Sequence, residues 1–273
     1  MTVADIPQGM RLSASAGWNQ VEPDWRIFFE SPGSGGFLAE NDGVVVGTVA
    51  FLRYDRLAWI AMMLVGPEHR GSGIGGQLMK RALHELRDVV CVGLDATPLG
   101  EPLYLRYGMK PDCTLVRMKG MVHVSQFYGA RAQRMSEEDF AAVMEQDREV
   151  FGADRSALLR SLRTRAPECS WIVRERTGVA GYCFGRPGRL FQQWGPVVAA
   201  DFETARELAC ACLAQFDGRP VAVDVPLIHN AWREWLEAAG FAAERPFVRM
   251  FRPPQTHPGL PARQYAISGP EFA

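Results

Sequence analysis

The segment that decides the fold runs from residue 63 to residue 78 and reads Met63-Leu-Val-Gly-Pro-Glu-His-Arg-Gly-Ser-Gly-Ile-Gly-Gly-Gln-Leu78. Its apolar start predicts a strand, its glycines a loop, and the residues from Gln77 onward a helix. Small residues let successive backbone N–H groups point into one hollow, and the positive end of the helix dipole adds to the attraction for an anion. Arg70 places a fixed cation beside that hollow. The segment therefore predicts a phosphate-binding cradle.

Two familiar glycine loops bind phosphate, and this loop fits neither. A P-loop ends in Gly-Lys-Ser/Thr, whereas Gly75-Gly76-Gln77 supplies no lysine for a terminal phosphate and no hydroxyl for Mg²⁺. A dinucleotide fold has its loop in the first strand-to-helix turn, with an acidic residue about 20 residues later. Here the loop begins only at Gly71. The sequence argues against both kinds of site.

The residues after the loop narrow the choice further. Residues 89–97 predict a β-branched strand, and a short helix carrying Tyr104 follows and ends at Gly108. The order Arg70-x-x-Gly73-x-Gly75, strand, Tyr104-x-x-x-Gly108 resembles the GNAT acetyltransferase superfamily, over residues 1 to about 122. In that family the glycine loop holds the pyrophosphate of acetyl-CoA.

The resemblance implies a set of site residues. Acetyl-CoA would contact Met63, Leu64, Val65, Arg70, Gly71, Ser72, Gly73, Ile74, Gly75, Gly76 and Thr97. The family often has Asn at the position of Thr97. Tyr104 would protonate the leaving thiolate, and backbone N–H groups of residues 62–65 would stabilise the oxyanion. The acceptor would lie near Trp18, Asn19 and Gln20; alternatively, Trp18 and Trp25 form one buried face of a helix over residues 18–30.

Short matches repeat along the chain. Gly66-Pro67 recurs as Gly195-Pro196, Leu94-Asp95 as Val223-Asp224, and Val116-Arg117-Met118 as Val248-Arg249-Met250. Because these matches occur in the same order in both halves of the chain, they predict two domains that share one fold. The expected fold class is therefore α/β, more narrowly α+β. We expect two tandem GNAT-like domains, each with a mixed, mostly antiparallel central sheet flanked by helices.

The cradle is the part that does not recur. With Gly195-Pro196 set on Gly66-Pro67, the second copy has Ala199, Phe202 and Thr204 where the first has Arg70, Gly73 and Gly75; Leu236 replaces Tyr104. Residues kept in both copies serve the fold, and residues found only in the first serve a ligand. Asp95, matched by Asp224, is accordingly interpreted as a structural partner. The second copy is predicted to be degenerate.

The expected boundaries are a catalytic domain at 1–122, a link at 123–134, a degenerate domain at 135–252 and a tail at 253–273. The tail is rich in proline, but Tyr265, Ile267 and Phe272 are spaced along its end. Burying each would contribute about 1.5–3 kcal/mol. We therefore expect residues 263–272 to lie against the folded body, across the junction of the two domains.

Composition limits the partners. The chain has 30 basic and 31 acidic residues. It therefore has no strong electrostatic field that would favour binding to nucleic acid or to an anionic membrane surface. No apolar run predicts a membrane span or a signal segment, and the six scattered cysteines predict neither disulfides nor a metal site. The expected location is the cytoplasm, and the oligomeric state is left open.

Acetyl transfer to an amine needs an unprotonated amine, an oxyanion donor and an acid for the thiolate. A phenol has a pKa near that of the leaving thiol. Residues 59–65 contain no carboxylate or histidine, so the base is water or a residue from elsewhere; His69 is expected to be solvated or to contact phosphate. The leading interpretation is an acetyl-CoA-dependent N-acetyltransferase of a small primary amine. The alternative is a non-enzymatic acyl-CoA sensor.

Overall fold

A computed structural model describes residues 1–123, 129, 131–176, 178–253 and 258–273. The helices are α1 (Ile6–Ser15), α2 (Glu22–Glu30), α3 (Ile74–Glu85), α4 (Glu101–Arg106), α5 (Glu137–Phe151), α6 (Ser156–Arg165), α7 (Phe202–Leu213) and α8 (Asn230–Ala238). The strands are β1 (Gly35–Asn41), β2 (Val44–Tyr54), β3 (Leu57–Val65), β4 (Cys91–Ala96), β5 (Lys110–Met121), β6 (Gln133–Arg134), β7 (Trp171–Glu175), β8 (Gly178–Arg186), β9 (Gln192–Ala199), β10 (Pro220–Pro226), β11 (Phe241–Phe251) and β12 (Gln264–Ala266).

The helix predicted over residues 18–30 is shorter than expected. It begins at Glu22, because Pro23 occupies its first turn and the Asp24 carboxylate accepts the Val21 N–H at 2.9 Å. Residues 18–21 belong to the loop that follows α1, a helix the sequence analysis did not anticipate. Trp18 and Trp25 therefore do not share one helix face.

The described strands form one continuous sheet. Its order is β1-β2-β3-β4-β11-β5-β10-β9-β8-β7-β6, and β12 pairs with β9 outside this path. Neighbouring strands are antiparallel except in the pairs β3–β4 and β9–β10. These parallel pairs occupy matching places in the two halves. The expected mixed, mostly antiparallel architecture is confirmed.

The two halves exchange strands at the centre of this sheet. β5 pairs with β10 of the second half, and β11 pairs with β4 of the first half. β5 and β11 also pair with each other over most of their length. Each half therefore places a long strand in the other half's sheet, a junction that the internal sequence matches do not reveal.

The segment 258–273 crosses this junction. Trp59 Nε1 donates to the Pro270 carbonyl at 2.9 Å, and the Tyr54 hydroxyl donates to the Phe272 carbonyl at 3.0 Å. Phe272 is fully buried and stacks on Phe28 at a centroid distance of 5.7 Å. Tyr265 and Ile267 are buried as well. Half of the expected link 123–134 lies outside the described residues, and its end forms β6.

The core is shared between the halves. One apolar cluster includes Trp25 and Trp59 from the first half, Phe151 and Tyr182 from the second, and Phe272 from the tail. Separate clusters lie beneath α3 and beneath α7 and α8. Within the described ranges, no helix combines the length and apolar character that crossing a membrane requires.

Candidate active site

The predicted cradle lies between β3 and α3. After Val65 the chain makes a 3₁₀ turn and enters the glycine loop, where Gly71 and Gly73 have φ values of +79° and +87°. Only glycine adopts such values at little cost. Gly73 is the N-cap of α3, and no side chain caps the helix there. The N–H groups of its first turn are therefore available to an anion.

The next two glycines face α4. A Cβ on Gly76 would lie 2.7 Å from the Tyr107 hydroxyl, whereas a Cβ on Gly75 would make ordinary contact with Leu103 at 3.5 Å. The first distance is too short for a carbon–oxygen contact. A side chain at position 76 would therefore displace the Tyr107 side chain, which follows α4.

Arg70 lies exposed at the rim of the cradle. Its Nε donates to the Val65 carbonyl at 3.2 Å, and none of the acidic side chains in the described ranges lies within ion-pair distance of it. Ser72 Oγ donates to the His69 carbonyl at 2.5 Å, so this hydroxyl braces the loop. The guanidinium ends of Arg70 remain available to a phosphate.

A gap in the sheet leads from the cradle into the molecule. The parallel pairing of β3 with β4 ends at Trp59 and Gly93. Beyond that point β3 carries a bulge against β2, where Met62 has φ +49° and its carbonyl accepts the Thr48 hydroxyl at 2.9 Å. Strands β3 and β4 therefore separate where the resemblance places the acyl group.

Backbone N–H groups of β3 face this gap. The Gly66 N–H donates to Val46 of β2 at 2.9 Å. Since peptide groups alternate in direction along a strand, the Val65 N–H points away from β2 and toward β4. The Val65 carbonyl, which accepts from Arg70, points the same way. Val65 is thus placed to offer a hydrogen bond to a carbonyl oxygen in the gap.

Tyr104 lies across the gap, on α4. Thr97 lies in the turn before this helix, where its carbonyl accepts the N–H groups of Gly100 and Glu101 at 2.9 and 3.0 Å. Tyr104 is only 8% exposed, and its hydroxyl bonds to no residue in the described ranges. Burial raises the pKa of Tyr104 above the usual value for a phenol. The hydroxyl therefore stays protonated at neutral pH and can donate a proton.

The cradle, the gap and Tyr104 line a single cleft of about 810 Å³. All the residues that the resemblance assigns to acetyl-CoA line it except Ser72. Five further lining residues come from the exchanged strands and the tail. We call them the inserted wall: Arg117, Arg245, Phe247, Pro270 and Glu271. The second half and the tail thus complete a cleft that begins in the first half.

The three residues predicted near the acceptor separate into two roles. Trp18 and Gln20 line the cleft, and Gln20 is 8% exposed. Asn19 does not line it. The Asn19 side chain accepts the N–H groups of Leu190 and Phe191 at 2.8 and 3.1 Å and donates to the Phe191 carbonyl at 3.1 Å. The structure thus gives Asn19 a positioning role, which ties the α1–α2 loop to the second half.

The repeated acidic and basic residues pair across the two halves. Arg249 of β11 binds Asp95 of β4 through two hydrogen bonds of 2.8 and 2.9 Å. Arg117 of β5 binds Asp224 of β10 through two bonds of 2.8 Å. Each pair joins one copy to the other. Asp95 lines the cleft, but its carboxylate is occupied, as the sequence comparison predicts for a structural partner.

The cysteines are all free thiols. Burial raises the pKa of Cys91 and of Cys113 to about 11, so both remain protonated at neutral pH. Nowhere in the described ranges do three or more His, Cys, Asp or Glu side chains gather in a group that could hold a metal ion.

Sequence reasoning missed the inserted wall. Its residues reach the cleft through strand exchange and tail docking, which local motifs do not encode. One signal was present for Arg245. With Gly240-Phe241 set on Gly108-Met109, Arg245 stands opposite Cys113, so it is not repeated. The rule applied to the sequence assigns to a ligand only residues found in the first copy, and it would have to be extended to the second copy to select Arg245.

Known proteins with related sequences resemble this chain in both halves. The model of the acetyltransferase (GNAT) family matches residues 9–108, and a second acetyltransferase (GNAT) domain model matches residues 143–266. An uncharacterized N-acetyltransferase of Bacillus subtilis, YitH, is 25% identical over 238 residues, which cover 85% of this chain and 83% of that protein.

Solved structures show the same fold over nearly the whole chain. A putative acetyltransferase from Pyrococcus horikoshii aligns with a TM-score of 0.82 at 19% identity, covering 100% of this chain and 94% of that one. A tandem GNAT protein from the clavulanic acid biosynthesis pathway aligns with a TM-score of 0.64 at 16% identity, covering 94% and 98%. The two family models together span most of the sequence. The chain therefore belongs to the GNAT acetyltransferase family and carries two GNAT domains in tandem.

Proposed function

We propose that this N-acetyltransferase uses acetyl-CoA to acetylate a small primary amine at a single site, in the cleft of the first half. One observation carries the proposal: the uncapped glycine loop, the Val65 N–H side of β3 and the buried Tyr104 hydroxyl all line one cleft. These groups supply anion binding, oxyanion stabilisation and an acid, which are the needs of acetyl transfer.

Binding of the co-substrate is assigned to the cradle and the gap. Arg70 and the N–H groups from Gly71 to Gly76 would hold the pyrophosphate, since both the charge and the helix end favour an anion. The backbone of Met63, Leu64 and Val65 would pair with the pantetheine arm as an added strand. Thr97, in the turn before α4, lines the same cleft and would contact that arm.

In the chemical step, the amine nitrogen attacks the thioester carbonyl carbon, a C–N bond forms and the C–S bond breaks. The Val65 N–H stabilises the negative charge that develops on the carbonyl oxygen. Tyr104 gives its proton to the departing sulfur and regains one from solvent. The amine loses one proton, which must go to a base.

We assign that base to Glu271. The sequence left the base open between water and a residue from elsewhere, and the tail brings this carboxylate into the cleft. Glu271 is held in place by an ion pair with Arg186. A fixed carboxylate can orient an amine and accept its proton, directly or through one water.

The test is release of free thiol from acetyl-CoA with a panel of primary amines. The proposal predicts release that depends on both the amine and the protein, with stoichiometric formation of the N-acetyl product. A sensor would bind acetyl-CoA without amine-dependent release. Binding without turnover across a chemically broad panel would contradict the proposed function and favour the sensor.

A further inference from the structure

Among the charged side chains that line the cleft beyond the cradle, Arg106 is exposed, and the others are balanced pair by pair with one exception. Asp95 is paired with Arg249, and Arg117 with Asp224, each at 2.8 Å. Glu271 is paired with Arg186, and the second partner of Arg186 is Asp24, whose other oxygen lies 2.8 Å from Arg165. These ion pairs sum to zero charge. Arg245 remains.

No acidic side chain in the described ranges lies within ion-pair distance of Arg245. Its Nε is buried and bonds to none of the described residues, and its guanidinium lies over the Phe247 ring at 5.0 Å. Burial, together with the neighbouring Arg117, lowers the pKa of Arg245. A partly buried guanidinium without an ion pair is costly to a fold. Such a group is expected where a ligand supplies the missing charge.

The geometry of β11 explains why Arg245 lies at the cleft. β11 has a register shift between Ala243 and Arg245, which sets Arg245 opposite Arg117 of β5. Two like charges directly opposite each other in a sheet are destabilising, and bulges re-aim side chains next to active sites. The residue in the bulge, Glu244, pairs outward with Lys119 and does not line the cleft.

Gln20 also lines the cleft, and its side-chain oxygen lacks a hydrogen-bond donor among the described residues. The Gln20 side chain is buried, and its Oε1 accepts no hydrogen bond from the described residues. A buried amide oxygen without a donor carries a desolvation cost that a bound N–H group would remove. Besides the exposed Arg70 and Arg106, the cleft thus presents one partly buried cation without an ion pair and one buried hydrogen-bond acceptor without a donor among the described residues.

We propose that the acceptor is an amine that also carries a carboxylate, an amino acid or a close relative, with its carboxylate on Arg245 and an N–H group on Gln20. The planar fork of arginine matches a carboxylate through two parallel hydrogen bonds. A guanidinium already stacked on an aromatic ring loses little freedom on binding. This inference rests on the proposed function and names its substrate class.

The experiment compares common α-amino acids with their own α-amides as acceptors, for the wild type and Arg245→Gln. Phosphoethanolamine serves as a phosphate-bearing amine. The wild type should prefer acid over amide by about 10- to 100-fold in kcat/KM, the worth of a charge-assisted hydrogen bond. Arg245→Gln should lose that preference while retaining its folding midpoint, since it removes an unpaired charge.

Lys119→Gln is the matched control. It removes a cation on β5 two residues from Arg117, but Lys119 pairs with Glu244 and does not line the cleft. Its acid preference should equal that of the wild type. Equal turnover of acid and amide by the wild type, a preference kept by Arg245→Gln, or a preference for phosphoethanolamine over every carboxylate would each overturn the inference.

A binding readout separates this inference from the proposed function. N-acetylglycine and N-acetylglycinamide differ only in the charged group, so thermal shift can compare them without any turnover. The acid should stabilise the wild type more than the amide does, and Arg245→Gln should remove the difference. Suppose that amines without a carboxylate are turned over and that N-acetylglycine raises the melting temperature no more than N-acetylglycinamide does. The acetyltransferase proposal would then stand, and the assignment of a carboxylate to Arg245 would be wrong.

Discussion

The hydroxyl of Tyr104 is the group whose removal isolates the acid step. Tyr104→Phe takes away one oxygen that bonds to no described residue, so folding and acetyl-CoA affinity should change little. Turnover should fall by about 10²- to 10⁴-fold, the usual contribution of general acid catalysis. Tyr107→Phe, three residues further along the same chain, should retain turnover close to that of the wild type. Undiminished turnover in Tyr104→Phe would reduce Tyr104 to a packing residue.

The pH dependence of turnover tests the same group independently. Tyr104 must be protonated to act, and burial raises its pKa above the ordinary value of about 10. The Tyr104 hydroxyl is therefore mostly protonated up to pH 10, and the protonated form is lost only as the pH rises through the raised pKa. We expect kcat to show no falling limb between pH 7 and about 10. A fall of kcat within that range would assign the proton to a different acid.

The residues of the cradle and Tyr104 could be predicted from the sequence, because each belongs to a short motif with fixed spacing. Arg245 and Glu271 could not be placed in the same way. They reach the cleft through a strand borrowed from the other half and through the tail, and no local pattern specifies such long-range docking. Asn19 was expected near the acceptor, and the partners that its side chain has in the structure could not be predicted for a related reason: they lie on the loop before β9, far along the chain.

At the scale of strands, the crossed ion pairs hold the exchanged β5 and β11 in register. Asp224 is fully buried, accepts two hydrogen bonds from Arg117, and accepts a third from Gln193 at 2.9 Å. Asp224→Ala leaves a buried guanidinium uncompensated and should lower the free energy of unfolding by about 3–5 kcal/mol. Denaturant titration would measure the loss.

Lys119→Ala is the control on the same strand. Its pair with Glu244 is roughly one-third exposed on both sides, and such pairs contribute about 0–1 kcal/mol. If Asp224→Ala costs no more than Lys119→Ala, the crossed pair does not hold the junction. The repeat of Asp and Arg in the sequence showed that these residues serve the fold, but not that each pairs with the other copy.

At the scale of the whole molecule, the two halves differ in what fills the gap beside the parallel strand pair. In the first half the gap between β3 and β4 is part of the cleft. In the second half, β12 pairs with Val197 and Val198 of β9, and the Ile267 N–H donates to the Asp224 carbonyl of β10 at 3.1 Å. The tail therefore lies where the second half would otherwise have its own gap.

The helix that follows this second gap is also closed to an anion. Asp201 caps α7, and its carboxylate accepts the Thr204 N–H at 2.8 Å. In the first half the corresponding helix α3 begins at Gly73 without a side-chain cap. A carboxylate at a helix N-terminus satisfies the free N–H groups and repels a second anion. Sequence comparison predicted the loss of the cradle, whereas the plug formed by the tail required the structure.

The central claim is one acetyl-CoA site per chain, in the first half, and calorimetric titration with CoA tests it most directly. We predict a stoichiometry of one per chain, with the dissociation constant raised about 10- to 100-fold in Arg70→Ala, as expected for loss of a charge-assisted hydrogen bond. Two equivalent sites per chain, or an affinity unchanged by Arg70→Ala, would contradict the account.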